Sequence, residues 1–213
     1  MESPLRDSIP SGTQLIETFG WTPKDGFRHL DLHLARMARS AFLLGFAYDE
    51  AHALYELQVE GDQPLRCRLT LGEEGFAFTS TPMTPVAGTW TLAIADTRLA
   101  STDPWLAHKS TQRAIYDDAR AKLPQGIDEL LFLNERDELC EGTITNLFVT
   151  QQDGQIITPP LSCGLLPGIL RQSLLDQGKA TEAPISLETL GRAHAIHVGN
   201  SLRGLIGAKL ASS

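Results

Sequence analysis

Three stretches of the chain carry residues whose types and spacing could do chemistry together. In Leu139-Cys140-Glu141-Gly142-Thr143-Ile144-Thr145-Asn146-Leu147-Phe148, a carboxylate and a glycine stand just ahead of a β-type run. Further on, Leu165-Leu166-Pro167-Gly168-Ile169-Leu170-Arg171 sets a proline and a glycine at the mouth of an apolar periodic segment. That pattern reads as a helix start, where unsatisfied backbone N–H groups and the helix dipole favour an anion such as phosphate. Upstream, His108-Lys109-Ser110-Thr111-Gln112-Arg113 reads as a passage from an extended segment into a helix, and Lys109 there can offer an amine to a carbonyl.

A lysine able to form an imine, an acid for a ring nitrogen and a cradle for phosphate are the three demands of pyridoxal phosphate. Lys109 is the candidate for the imine, because a strand-to-helix transition lets its side chain project into a cleft where desolvation helps it release a proton. Lys24 falls in a turn, Lys122 near a helix end, and Lys179 and Lys209 in surface-like or terminal segments. Glu141 is the candidate for the ring nitrogen, since a carboxylate against a pyridinium makes a charge-assisted hydrogen bond and raises the pyridine's pKa. The plainer reading is a turn glutamate beside Gly142. For the phosphate, Ile169 and Leu170 would donate backbone N–H groups whatever their side chains, and Arg36 would add an always-ionised fork. An exposed helix arginine is the plainer reading of Arg36. Asn200-Ser201 could donate from a loop after a strand near Ile196, or could be a simple turn.

The elements that must position these residues follow from periodicity. Residues 15–21 read as a strand, with Lys24-Asp25-Gly26 turning into Phe27. Leu30, Leu34, Met37, Ala41 and Leu44 recur at helical spacing, with Arg36, Arg39 and Ser40 on other faces and Gly45 as the stop. Asp49 caps a second helix running to about Leu57. Residues 65–70 and 76–80 alternate around Gly72-Glu73-Glu74-Gly75 as a hairpin, and the prolines Pro82 and Pro85 mark a domain boundary. Beyond it the pattern predicts a strand over 90–95, a helix over 110–122, a strand over 129–133 and a hairpin pairing 147–150 with 156–158. A helix over 167–176, a short helix from Leu187 and strands near 196–198 and 205–206 complete the chain. Strands outnumber helices and are joined mostly by tight turns, which predicts an α+β fold of two domains, 1–84 and 85–213.

With 213 residues, 42% of them hydrophobic, the chain can bury a sizeable core. A net charge of -8 leaves no basic stripe for nucleic acid and no cluster for anionic lipid. Cys67, Cys140 and Cys163 form neither a C-x-x-C pair nor a dense disulfide pattern, which fits reduced thiols. The first residues lack the basic-then-apolar pattern of a secretory signal, and no apolar run approaches bilayer length. A cytoplasmic protein acting on small molecules is expected.

The same segments resemble the class IV aminotransferase family of pyridoxal-phosphate enzymes, which includes branched-chain aminotransferase, D-amino-acid aminotransferase and 4-amino-4-deoxychorismate lyase. The resemblance runs from about Ile16 to about Ile206. It is carried, in order, by Leu30-Asp31-Leu32-His33-Leu34-Ala35-Arg36-Met37 with Ser40-Ala41, by Lys109 to Arg113, by Glu141-Gly142 with Asn146-Leu147-Phe148, by Leu166-Pro167-Gly168-Ile169 and by Gly199-Asn200-Ser201. It implies Lys109 as the imine lysine, Glu141 as the ring-nitrogen partner, and Arg36, Ile169, Leu170 and Ser201 as phosphate contacts. It also implies a small α+β domain, a larger barrel-like β domain with helices, and a homodimer. Relative to that family both ends of the chain are short. The tyrosine that branched-chain aminotransferases carry soon after the lysine is not at that spacing, since Tyr116 comes later, and the Lys109/Arg113 spacing is more like some of the lyases, with Arg113 able to meet a substrate carboxylate. Transamination between a small amino acid and a 2-oxo acid is the expected reaction, with the lyase or a degenerate binding module as alternatives. A metal enzyme built on His29 and His33 or on His194 and His197 lacks the accompanying ligands, and no metal is expected.

Overall fold

The computed structural model describes residues 9–85 and 88–211, and the chain divides into two compact units. The first runs to Pro85 and also takes in His108–Gln112; the second comprises the segment ending at Ala107 and the chain from Arg113 onward. The lysine-bearing segment thus belongs to the first unit, although part of the second precedes it in sequence.

In the first unit, β1 (Leu15–Thr22), β2 (Gly26–Phe27), β3 (Leu65–Gly72) and β4 (Gly75–Pro82) form an antiparallel sheet in the order β2-β1-β3-β4. Leu65, Cys67, Leu69 and Leu71 of β3 alternate inward, as strand geometry requires of a sheet with one covered face. Helix α1 (Leu30–Leu44) buries Leu34, Met37, Ala41 and Leu44 and ends at Gly45, whose left-handed φ of 76° lets its N–H return to the Ala41 carbonyl. Helix α2 (Glu50–Glu56) starts on Asp49, whose carboxylate accepts from the Ala51 and His52 N–H groups. Arg36 and Ser40 do not lie on a solvent face: both are buried with the apolar stripe.

The segment around Lys109 is not helical. Ile16 N–H donates to the Lys109 carbonyl at 2.8 Å and Thr111 N–H to the Gln14 carbonyl at 2.9 Å, which bridges Leu15 to Ser110 and adds a short strand-like edge to β1. In that register Lys109 stands opposite Ile16, on the face away from Leu15 and Ser110. Because Ser110 and Thr111 are committed to this pairing, the helix predicted over 110–122 begins only at Ala114, as α3 (Ala114–Ala121). The segment before Lys109 is a 3₁₀ turn over Pro104–Ala107 rather than an extended strand.

The second unit contains β5 (Trp90–Ile94), α3, β6 (Glu129–Leu133), β7 (Leu139–Gly142), β8 (Asn146–Thr150), β9 (Ile156–Thr158), α4 (Ile169–Asp176), β10 (Thr181–Glu182), α5 (Leu187–Gly191), β11 (Ala195–Asn200) and β12 (Gly204–Leu210). Its strand order is β10-β9-β8-β11-β12-β5-β6-β7, and β7 pairs back onto β8, so that the run from β8 to β7 closes on itself as a barrel. Leu92, Leu131, Leu147, Val149, Val198 and Ile206 fill the interior. At roughly 1.5–3 kcal/mol for each fully buried aliphatic side chain, this interior is the unit's main stabilising term. The unbroken run Glu-Leu-Leu-Phe-Leu of β6 is explained by burial on both faces: Leu131 and Leu133 enter the barrel, while Phe132 faces outward into a second cluster with Tyr116 of α3, Cys140 and Leu165.

Between β6 and β7 the register slips. Leu131 pairs with Gly142 and Leu133 with Leu139, so Cys140 and Glu141 together oppose Phe132. This β-bulge keeps Leu139 in the barrel and turns both Cys140 and Glu141 toward the Tyr116 side. Beyond Gly142 the turn 143–145 is held from beneath by Glu129, which is fully buried. Its carboxylate accepts from Thr143 N–H at 3.0 Å, Thr143 Oγ1 at 2.5 Å, Ile144 N–H at 3.2 Å, Thr145 Oγ1 at 3.0 Å and Leu130 N–H at 3.1 Å. Gly142 is required here, because a Cβ would lie 2.6 Å from Thr145 Oγ1 and 2.8 Å from Glu129 Cγ. Glu129→Ala is predicted to cost about 3–5 kcal/mol by stranding these donors in a dry site. Urea unfolding would measure it, and a loss below about 1 kcal/mol would mean that the turn is held by something else.

Candidate active site

Glu141 lies at the pair that closes the barrel, opposite Asn146, and is only 6% exposed. Its carboxylate accepts from Tyr116 Oη at 2.6 Å, from Leu166 N–H at 3.1 Å and from Asn146 Nδ2 at 3.3 Å. Asn146 Nδ2 also donates to the Leu166 carbonyl at 3.1 Å, so both backbone groups of this one residue are tied down, the N–H by Glu141 and the C=O by Asn146. Glu141 is therefore a strand residue in a bulge and not a turn glutamate.

Helix α4 starts at Ile169, with Gly168 as its N-cap and Pro167 outside it. Gly168 has no side chain to take the first-turn N–H groups, and a Cβ there would fall 1.8 Å from Asn146 Oδ1. The backbone amides of Ile169 and Leu170 are thus presented at a helix N-terminus three residues beyond the Leu166 amide that binds Glu141. The helix is anchored by Arg171, 2% exposed, which donates to the Pro159 carbonyl at 2.8 Å and pairs with Glu182. Against α4 packs β11, and the turn after β11 carries the buried Ser201. Asn200 Nδ2 donates to the Ile144 carbonyl at 3.0 Å, which ties that turn to the 143–145 turn. The second unit therefore joins Glu141 at the end of β7, Ile169 and Leu170 at the start of α4 and Ser201 in the turn after β11 through one chain of contacts. Arg113, the N-cap of α3, donates to Asp117 at 2.9 Å and to the Thr143 carbonyl at 2.9 Å, and its guanidinium sits 5.6 Å from the Tyr116 ring centroid.

In the first unit Arg36 reaches inward to Glu17 of β1. Arg36 Nε donates to Glu17 Oε1 at 2.8 Å and an Nη to Oε2 at 2.6 Å, while His33 Nδ1 lies 2.5 Å from Oε2. Such bidentate pairing is what makes a fully buried carboxylate tolerable, and it is why Arg36 turns inward from the solvent face. Burial alone would push the Glu17 carboxyl up, but the Arg36 charge and the hydrogen bonds from His33 and Arg36 outweigh it and bring the carboxyl down to about 2. Burial pushes His33 down against the pull of Glu17, and the charges of Arg36 and Lys109 add to the fall. The ring is thus neutral near pH 7, and because Glu17 is ionised the proton must sit on Nδ1. Lys109 and Arg36 both bear on this one histidine. Glu17 is not singled out in the sequence, and His33 only as one of a histidine pair for a metal. The signal for Glu17 was a charged residue at an inward position of the alternation Leu15, Glu17, Phe19; for His33 it was its i,i+3 spacing to Arg36.

Among the described residues no group of three or more histidine, cysteine, aspartate or glutamate side chains is placed to hold a metal. Of the suspected histidine pair, His33 is taken by Glu17 and His29 stands at the N-cap of α1 with a φ of 51°. No helix among the described residues is long and apolar enough to cross a membrane.

The sequence pattern of the family "Amino-transferase class IV" matches residues 14–211. A "Putative aminodeoxychorismate lyase" of Schizosaccharomyces pombe is 32% identical over 163 residues, which cover 72% of this chain and 70% of that protein. A "Probable branched-chain-amino-acid aminotransferase" of Thermotoga maritima is 27% identical over 184 residues, 81% of this chain and 64% of the other. Among solved structures, a "Putative amino-acid aminotransferase" from Mesorhizobium loti is 46% identical with a TM-score of 0.89, covering 93% of this chain and 100% of that one.

The Glu17 network makes stability depend on acid in a defined window. A carboxyl depressed from 4.5 to about 2 contributes fully above pH 4.5 and loses its contribution as the pH falls toward 2. The stability gap between the wild type and Glu17→Gln, on the order of 3 kcal/mol near neutrality, should therefore close across that window. Denaturant unfolding at stepped pH checks this, and a gap that does not vary with pH would contradict it.

Proposed function

The chain belongs to the class IV aminotransferase family, a family of enzymes, and from that premise we propose that it is a pyridoxal-phosphate-dependent aminotransferase moving an amino group between a small amino acid and a 2-oxo acid. The observation that supports a cofactor of this kind is the buried Glu141 carboxylate, fixed by three donors and coupled through Leu166 to an uncapped helix N-terminus. An acid beside an anion cradle fits a ring carrying both a basic nitrogen and a phosphate. Glu141 would hold the proton on the ring nitrogen, and Ile169 and Leu170 N–H, Ser201 and Arg36 would take the phosphate. When bound, the cofactor supplies a ring that accepts electrons from the α carbon of an amine.

Lys109 would hold the cofactor through its side-chain amine and then carry the α proton on Nζ, first as base and then as acid. His33, which the Lys109 charge also helps to keep neutral, leaves Glu17 to balance Arg36. A homodimer is proposed on the same family ground. The choice of transamination is favoured by the 46% identical Mesorhizobium loti protein, which this chain matches over its whole length. The second reading is 4-amino-4-deoxychorismate lyase, releasing 4-aminobenzoate and pyruvate. It is favoured by the 32% identical Schizosaccharomyces pombe protein and by the Lys109/Arg113 spacing, with Arg113 as the proposed contact for a substrate carboxylate.

The test is product analysis of the protein supplied with pyridoxal phosphate and offered, in separate reactions, amino acids with 2-oxo acids and 4-amino-4-deoxychorismate. Transamination predicts a new amino acid from the 2-oxo acid; pyruvate and 4-aminobenzoate with no amino transfer would decide for the lyase. Lys109→Ala should lower turnover by about a thousandfold or more without unfolding the protein. Normal activity in that variant would remove Lys109 from the chemistry.

A further inference from the structure

Tyr116 is a residue to which the resemblance assigns no role, yet it makes the shortest hydrogen bond to Glu141, at 2.6 Å. It is itself 8% exposed, and its ring is fixed edge-on against Phe132, with centroids 5.3 Å apart and planes at 79°. The Arg113 guanidinium covers the ring and is in turn bonded to the Thr143 carbonyl. The phenol therefore has one orientation, and its hydroxyl proton has one acceptor, Glu141 Oε1, which also takes the Leu166 N–H.

We infer that Tyr116 is a positioning residue that locks Glu141 Oε1, so that the carboxylate of the bulge stays ionised and in a single orientation. Burial and the neighbouring Glu141 keep the phenol protonated through any working pH, with Cys140 acting the same way and Arg113 opposing, so the donor never switches off. Other charged groups on this side include Asp117, which pairs with Arg113, and Arg120 with Glu129 beneath the 143–145 turn. Arg113 and Arg120 are both directed at Thr143. The inference rests on the proposed function only for its effect on turnover; the hydrogen bond itself can be tested without any cofactor.

The variant is Tyr116→Phe, which keeps the ring against Phe132 and removes only the hydroxyl. In the protein without cofactor, carboxyl ¹³C NMR of Glu141 should show its titration midpoint raised by about one pH unit or more in the variant, since a hydrogen bond to a charged acceptor carries about that weight. In the protein saturated with pyridoxal phosphate, kcat should fall about ten- to a hundredfold while KM changes less than about threefold. The lower-pH limb of the rate profile should move upward with the carboxyl. A Glu141 midpoint unchanged by Tyr116→Phe would overturn the inference, whether or not the melting temperature falls. A raised midpoint in a protein that takes up no pyridoxal phosphate would uphold the lock and defeat the proposed function instead.

Discussion

The extra residue in β7 is the constraint on which the rest of the second unit depends. A regular strand would alternate Leu139, Cys140, Glu141 and Gly142 in and out of the barrel, and the glutamate would follow Leu139 into an apolar interior. The bulge opposite Phe132 breaks that alternation, so Leu139 remains core while Glu141 faces Tyr116, Leu166 and Asn146. The slip falls where β7 must also pair with β8 to close the barrel, at Glu141 and Asn146. Closure, bulge and acid are one feature, and moving the register by one residue would undo all three.

Three buried carboxylates show how the fold manages charge where water is excluded. Glu17 is met by a guanidinium fork and a neutral histidine, a solution that neutralises the charge locally. Glu129 gathers backbone N–H groups and threonine hydroxyls, spreading its charge over a turn that must not move. Glu141 is bound by a phenol, an amide N–H and a carboxamide, which orient it without bringing a full positive charge from those three groups. The Glu141 contacts hold its carboxylate at the seam of the barrel, the place where we propose that it meets a ring nitrogen.

Much of this arrangement is legible in the sequence. The helical spacing of Leu30, Leu34, Met37, Ala41 and Leu44, the stop at Gly45 and the cap at Asp49 are local signals, and each element forms where its pattern places it. The α+β class and the class IV family resemblance were readable for the same reason, since each motif is short and contiguous. What was not legible depends on partners far away in the chain. Ser110 and Thr111 carry no mark that they pair with residues near Leu15, so periodicity alone starts the helix after Lys109 too early. Arg36 looked like a surface arginine because its acceptor, Glu17, lies in another element. The bulge has no periodic signature at all; Gly142 marked a special position without saying which.

The central claim is that Lys109 is the residue joined to pyridoxal phosphate. Incubation of the protein with pyridoxal phosphate, reduction with borohydride to fix the linkage and mass analysis of the digested peptides tests it most directly. The account predicts a phosphopyridoxyl group on the peptide containing Lys109, in about one copy per chain and dependent on the native fold. Stoichiometric labelling at Lys24, Lys122, Lys179 or Lys209 with Lys109 unmodified, or no label at all, would contradict it.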